Sequence, residues 1–163
     1  MQTKKDKETI GEWFNGFIDK YVNEGEEKVA CLDSPEDYLN KEDAETFTRL
    51  TKCTSGFSLT ATIFEDEPDT VAVTSDSSYI DLSYDTGYTT TEVYQDVLQA
   101  MNDELKTIIE SVKEAYKQGD TRHYNGSDEY QAIQEFGEDY GIEYIKDMHY
   151  SKGLFVEVTN VYK

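Results

Sequence analysis

Nine carboxylates in the middle of the chain are dense enough to do chemistry. Glu65, Asp66, Glu67 and Asp69 form one run, Asp76 follows, and Asp81, Asp85, Glu92 and Asp96 lie within the stretch SSYIDLSYDTGYTTTEVYQD. Paired carboxylates can serve as general acid and base in glycosidase-type work, but a pair has meaning only through its separation in space. With 35 acids in the chain any pair can be nominated. Clustered oxygens also suit hard cations, which leaves an irregular cation site open at 65–69, although no metal ligand set is assigned. The loops around Gly87 and Gly126 fail the EF-hand pattern, whose first position would fall on Leu82 or Thr121. The remaining chemistry involves no reaction: a field of carboxylates attracts a cationic surface.

Other reactive groups are few. His123 and His149 lie in no nucleophile or metal spacing and read as exposed or hydrogen-bonding side chains. Cys31 and Cys53 have no CxxC spacing and read as reduced, partly buried thiols. There is no glycine-rich phosphate loop, GxSxG or P-loop. The expectation is a chain that is not an enzyme and uses no cofactor.

What sets the acids apart is the absence of bases around them. Residues 53–105 hold eleven acids and no lysine or arginine. An even spread of the chain's 15 basic residues would place about five there. Part of this has a local cause, because Glu92 and Asp96 precede Lys106, Lys113 and Lys117 on one predicted helix, an order that suits the helix dipole. The other acids fall on turns and on a strand. There Asp81 and Asp85 would stand ~13 Å apart at ~3.3 Å per residue, so several elements must combine to imitate the phosphate spacing of a nucleic acid. Ser58, Thr60, Thr62, Ser83, Thr89 and Thr90 would add hydroxyls among them.

Hydrophobic periodicity supplies the elements. Ile10, Trp13, Phe14, Phe17, Ile18, Tyr21 and Val22 recur at steps of three and four, predicting a helix that ends near Gly25 with its aromatics in the core. Ser34-Pro35-Glu36-Asp37 reads as an N-cap, a first-turn proline and two acids opening a short helix through Tyr38 and Leu39. From Phe57 the period becomes two. Phe57, Leu59, Ala61 and Ile63, then Val71 and Val73, then Ile80, Leu82 and Tyr84 predict a three-stranded antiparallel meander, with Asp81, Ser83 and Asp85 on the face opposite the apolar one. Thr89 and Glu92 fit a capping box before a long helix of Val93, Val97, Leu98, Met101, Leu105, Ile108, Ile109, Val112 and Tyr116, ended by Gly119. Tyr84, Tyr94 and Tyr116 finish the edge of the core. Asn125-Gly126-Ser127 reads as a turn, Tyr130, Ile133 and Phe136 as a shorter helix, and residues 142–150 and 154–162 as a hairpin around Ser151-Lys152-Gly153.

The class is therefore α+β, a single domain over residues 1–163: an antiparallel sheet, made of the meander plus the C-terminal hairpin, packed with an N-terminal helix and one long central helix. A mean hydropathy of −0.73 does not signal disorder in a chain that is 13% aromatic. The first twenty residues mix Glu12, Asn15, Asp19 and Lys20 with their apolar positions, and nothing approaches the ~20 apolar residues of a membrane span, so a cytoplasmic location is expected. A net charge of −20 disfavours direct binding to nucleic acid or acidic membranes and favours cationic partners. Thirteen lysines against two arginines speak against a halophilic surface.

Small size, a charge of −20, thirteen tyrosines and the base-free window resemble the small acidic DNA-mimic inhibitors of phages and mobile elements, among them antirestriction and anti-CRISPR proteins. The resemblance implies occupation of a nucleic-acid channel by charge. The expected partner is a basic nucleic-acid-binding protein such as a nuclease, docked on Glu65, Asp66, Glu67, Asp69, Asp76, Asp81, Asp85, Glu92 and Asp96. The alternative is a small cytoplasmic adaptor or accessory interaction domain, acidic for solubility, whose contact would be an apolar patch near Trp13 or Tyr150. Oligomeric state has no signature in the sequence.

Overall fold

The computed structural model describes residues 8–17, 27–32, 34–53, 59–64, 66–75 and 80–163, with backbone alone at 15–17 and 27–29. The elements are α1 (Ile10–Phe17), β1 (Glu27–Cys31), α2 (Lys41–Cys53), β2 (Thr60–Phe64), β3 (Thr70–Thr74), β4 (Asp81–Asp85), α3 (Thr90–Lys117), β5 (Arg122–Tyr124), α4 (Asp128–Phe136), β6 (Ile142–His149) and β7 (Gly153–Val161). The fold is α+β, as its periodicity predicts. The meander and the hairpin, expected to share one sheet, stand instead in separate antiparallel sheets, ordered β1-β2-β3-β4 and β5-β7-β6, because the long α3 lies between them in the chain and each sheet packs apolar residues against it.

α3 is the axis of the core. Val93, Tyr94, Val97, Met101, Leu105, Ile108, Ile109 and Val112 are buried at steps of three and four along it. One continuous apolar cluster joins this stripe to Trp13 and Phe14 of α1, Phe47 and Leu50 of α2, Ile133 of α4, Val71 and Val73 of the first sheet and Val156 and Val158 of the second. Tyr94 lies inside the cluster, stacked on Tyr38 at 5.3 Å and tilted against Phe47 at 5.5 Å. Its buried hydroxyl accepts the Ser34 N–H at 3.2 Å, satisfying a polar group that burial would otherwise penalise. Tyr94 thus belongs to the interior of the core and not to its edge.

Three local expectations change. Pro35–Asp37 is a 3-10 turn without a side-chain cap, and the α-helix opens later, at Lys41, where Asn40 Oδ1 accepts the Asp43 N–H at 2.8 Å. β1 and β5 join the two sheets as additional strands, each too short or too polar to be read by alternation. Cys31 is exposed while Cys53 is buried, so the thiols are not alike. Ile18, Tyr21, Val22, Gly25, Phe57 and Ser58 fall outside the described residues.

The first helix is held where residues 8–11 meet residues 86–90. Ile10 N–H donates to Tyr88 O at 2.6 Å, Gly11 N–H to Thr86 O at 3.1 Å and Thr90 N–H to Glu8 O at 2.8 Å. Thr9 and Glu12 form a capping box, with Thr9 N–H on Glu12 Oε1 and Glu12 N–H on Thr9 Oγ1. At Gly11 a Cβ would lie 2.9 Å from Thr86 Cβ and 3.1 Å from Thr86 O. Helix propensity alone makes Gly→Ala favourable by ~1 kcal/mol inside a helix. The close approach reverses that sign: Gly11→Ala is expected to destabilise the protein by about 1–3 kcal/mol in urea denaturation, and a stabilised variant would disprove the packing described.

Candidate functional site: an acidic edge of the first sheet

β4 is an edge strand, and its alternation sorts its side chains. Tyr84 is buried on the core side, while Asp81, Ser83 and Asp85 are exposed on the other. Strand register extends that outer face: Thr74 pairs with Asp81 and with Thr60, Ala72 with Ser83 and with Thr62, and Thr70 with Asp85. The face is a half-buried row of β-branched hydroxyls bounded by carboxylates. Thr90, expected among those hydroxyls, is instead fully buried and donates to Thr9 O at 3.2 Å; Thr89 caps α3.

The β2–β3 turn lies at the Asp85 end of this face. Thr86 N–H donates to Asp69 O at 3.1 Å, which ties the turn carrying Asp66, Glu67 and Asp69 to the bend that follows β4. Asp85 Oδ1 accepts the Gly87 N–H at 2.8 Å and shapes the bend, a local role that accompanies any other. Asp66, Glu67 and Asp69 are exposed. Asp81 stands at the opposite end of β4. Glu65 and Asp76 lie outside the described residues.

Glu92 and Asp96 are on the other side of the strand. They lie four residues apart on α3, and Asp96 Oδ2 accepts the Tyr84 hydroxyl at 2.9 Å. Because Tyr84 points to the core side, Asp96 is separated from Asp81 and Asp85 by the thickness of β4. Glu92 is engaged with the cap, taking the Thr89 hydroxyl on Oε1 at 2.9 Å and donating its N–H to Thr89 Oγ1 at 3.1 Å. The structure thus brings Asp66, Glu67, Asp69 and Asp85 to one end of the sheet, sets Asp81 further along the same strand and places Glu92 and Asp96 around its edge. Tyr88, half-exposed and edge-on to Tyr84 at 5.4 Å, belongs to this edge too, although alternation gives no signal for a bend residue.

Among the described residues, ion pairs join Arg49 and Lys52 to Glu135, Arg49 to Asp139 and Arg122 to Glu157, all away from this edge. The backbone of β1 sets Lys28 in register with Ile63 of β2, at the edge of the sheet opposite β4. No three acids, histidines or cysteines among the described residues converge as metal ligands, and no helix of the described residues is long and apolar enough to cross a membrane.

The histidines differ from each other. Burial lowers the pKa of His123, whose Nε2 is buried without a hydrogen-bond partner, whereas His149 Nδ1 accepts the N–H groups of Ser151 and Lys152 at 3.2 Å in the β6–β7 turn. A groove of about 680 Å³ lies along α2 beside Lys41, Ala44 and Arg49, and neither histidine lines it.

Burial and the bond to Asp96 push the Tyr84 phenol well above its ordinary value, and burial and Glu8, whose carboxylate takes the Tyr38 hydroxyl at 2.6 Å, do the same for Tyr38. A group whose pKa is raised on folding contributes stability below its unfolded pKa and loses it as pH rises. Stability is therefore expected to fall from about pH 10 upward, less steeply in Tyr84→Phe, as followed by urea midpoints at successive pH values. At neutral pH, Tyr84→Phe and Asp96→Asn should each cost about 1 kcal/mol and couple in a double-mutant cycle; additive losses would show that the bond contributes nothing.

No protein-family model, curated protein or solved structure matches this chain.

Proposed function

We propose that this chain is a non-enzymatic, DNA-mimic-like inhibitor of the anti-defence type found in phages and mobile elements. It acts in a cytoplasm by docking its acidic edge on a basic nucleic-acid-binding protein such as a nuclease. One observation carries the reading. Asp66, Glu67, Asp69, Asp81 and Asp85 are exposed along one end and edge of a hydroxyl-rich sheet face, on a stretch of chain without lysine or arginine. Carboxylates outside the ion pairs of the described residues keep their field for a partner, and hydroxyls between them can meet the donors that a nuclease directs at a phosphate backbone. Such docking is salt-sensitive, since exposed charges are screened within about 8 Å at physiological ionic strength.

A second reading has its own support. Trp13 is buried and offers no patch, but Ile145, Met148 and Tyr150 are each exposed on the β6–β7 hairpin, Ile145 and Met148 on opposite faces of β6. Exposed apolar side chains grouped on one element favour an adaptor or accessory interaction domain, with acidity serving solubility.

Reversing Asp66, Asp69 and Asp81 to lysine tests the first reading, because none of these side chains caps a turn or holds a tyrosine. The chain, immobilised at low salt, is expected to capture nucleic-acid-binding proteins that elute at high salt, and the triple reversal to lower capture by about tenfold. A control reversal of Glu42, Glu110 and Asp120 changes net charge by the same amount and should lower it by less than about threefold. Equal losses in the two folded variants, checked by circular dichroism, would leave only a global charge effect and end the claim of a located face.

A further inference from the structure

The second sheet ends in an eight-residue strand, β6, whose outer edge faces no other strand among the described residues. β7 pairs with it from one side throughout, from Ile142 opposite Val161 to His149 opposite Gly153. The Met148 N–H donates at 2.8 Å to the carboxylate of Asp147, the preceding residue, and so stands outside the ladder. By the two-residue period of a strand, the N–H groups of Tyr144 and Lys146 point the same way. Side chains on both faces are uncovered: Met148 is 65% exposed on one and Ile145 54% on the other, with Tyr150 at 96% just beyond. Natural proteins normally shorten, cover or heavily charge such an edge, because unpaired donors and acceptors recruit another strand.

We propose that β6 accepts an extended segment of a partner protein as an added antiparallel or parallel strand, and that this segment alternates basic with apolar residues. The charge pattern selects it. Glu143 and Asp147 flank Ile145 on one face of β6, so a neighbouring strand meets carboxylate, apolar and carboxylate positions in order along that face. On the other face it meets Tyr144, Lys146 and Met148, two of which are apolar. A groove of about 580 Å³ continues from the start of the strand, lined by Ile133, Ile142 and Tyr144 with the carboxylates of Glu138, Asp139 and Glu143. Its one basic lining residue among those described, Arg49, is already paired with Glu135 and Asp139. The groove suits the long stem and cationic head of a lysine or arginine.

A second copy of the chain fits less well. A two-fold pairing of β6 with itself must keep each face continuous, which allows only registers centred on a residue. Centring on Lys146 opposes two lysines, centring on Asp147 opposes two aspartates, and centring on Ile145 places Glu143 against Asp147 twice; centring on Tyr144 or Met148 avoids like-charged pairs but shortens the paired stretch of β6, and two chains of charge −20 repel in every register.

The inference rests on the β6 edge and is independent of the acidic edge of the first sheet. Its probe is a synthetic nine-residue peptide alternating lysine with valine, compared at physiological salt with the same peptide carrying glutamate for lysine. With the isotope-labelled full chain, the basic peptide is expected to slow hydrogen exchange at the Tyr144 and Lys146 amides by about tenfold or more, and the acidic peptide to leave them unchanged. Lys146→Pro removes an outward N–H while sparing the β7 ladder and should weaken binding by about tenfold; Ile145→Lys, which keeps the backbone intact, should weaken it by about fivefold. The Asp66, Asp69 and Asp81 reversal should bind the peptide as the parent does. Protection or shifts confined to β4 and α3, equal binding of the acidic peptide, or sedimentation as a dimer that Ile145→Lys dissolves would each overturn the proposal.

Discussion

The fold depends on one requirement: α3 must bury a stripe of eight apolar side chains, from Val93 to Val112, while its remaining faces stay in water. Everything else is arranged to cover that stripe. α2 and α4 close on it from the helical side, β7 brings Val156 and Val158, and the first sheet brings Val71 and Val73. At ~25 cal/mol per Å² of apolar surface, burial of this kind is the main favourable term available to a chain whose surface charge opposes compaction. Tyr94 shows how strict the requirement is, since its hydroxyl lies deep enough to need a backbone partner at Ser34.

The chain's acidity consists of two populations with different physical roles. Glu8, Glu12, Asp43, Asp85, Glu92 and Asp96 accept hydrogen bonds from phenols, hydroxyls, a side-chain amide or backbone N–H groups and are part of the architecture. A carboxylate in such a bond cannot be exchanged for a base without cost to the local structure. Asp66, Glu67, Asp69 and Asp81 are exposed on the turn and edge of the sheet. Their field is thus the part of the charge most open to selection by a partner. The β6 edge is a different device, with backbone donors and apolar side chains as its main components.

Sequence periodicity carried the strongest elements: α3 with its Thr89 cap, the meander through Ala61, Val73 and Tyr84, the C-terminal hairpin and the helix at Tyr130, Ile133 and Phe136 all stand close to where the apolar spacing places them. α2 was not legible, because its stripe of Ala44, Phe47, Leu50 and Cys53 is short and interrupted by charged and hydroxyl residues, and the Ser34-Pro35 pair imitates a better start signal. β5 has only three residues and is stabilised by partners such as Glu157 and Phe155 that are distant in sequence. At the candidate site, alternation correctly sets Asp81, Ser83 and Asp85 on one face. It cannot say that Asp96 would be taken from behind by Tyr84, because that bond joins a strand to a helix through side-chain length, a quantity absent from periodic patterns.

The clasp between residues 8–11 and 86–90 has a consequence for the order in which the chain acquires structure. During synthesis the Glu8 carbonyl and the Ile10 and Gly11 N–H groups emerge well before Thr86, Tyr88 and Thr90, their partners in three hydrogen bonds. At ~5–20 residues per second the first helix waits on the order of 4–16 s for the surface that seats it, exposing Trp13 and Phe14 meanwhile. The C-terminal hairpin, by contrast, needs only its own neighbours and can form as soon as both strands exist. The first helix is therefore secured only once the middle of the chain has emerged, after β4 and before the C-terminal hairpin.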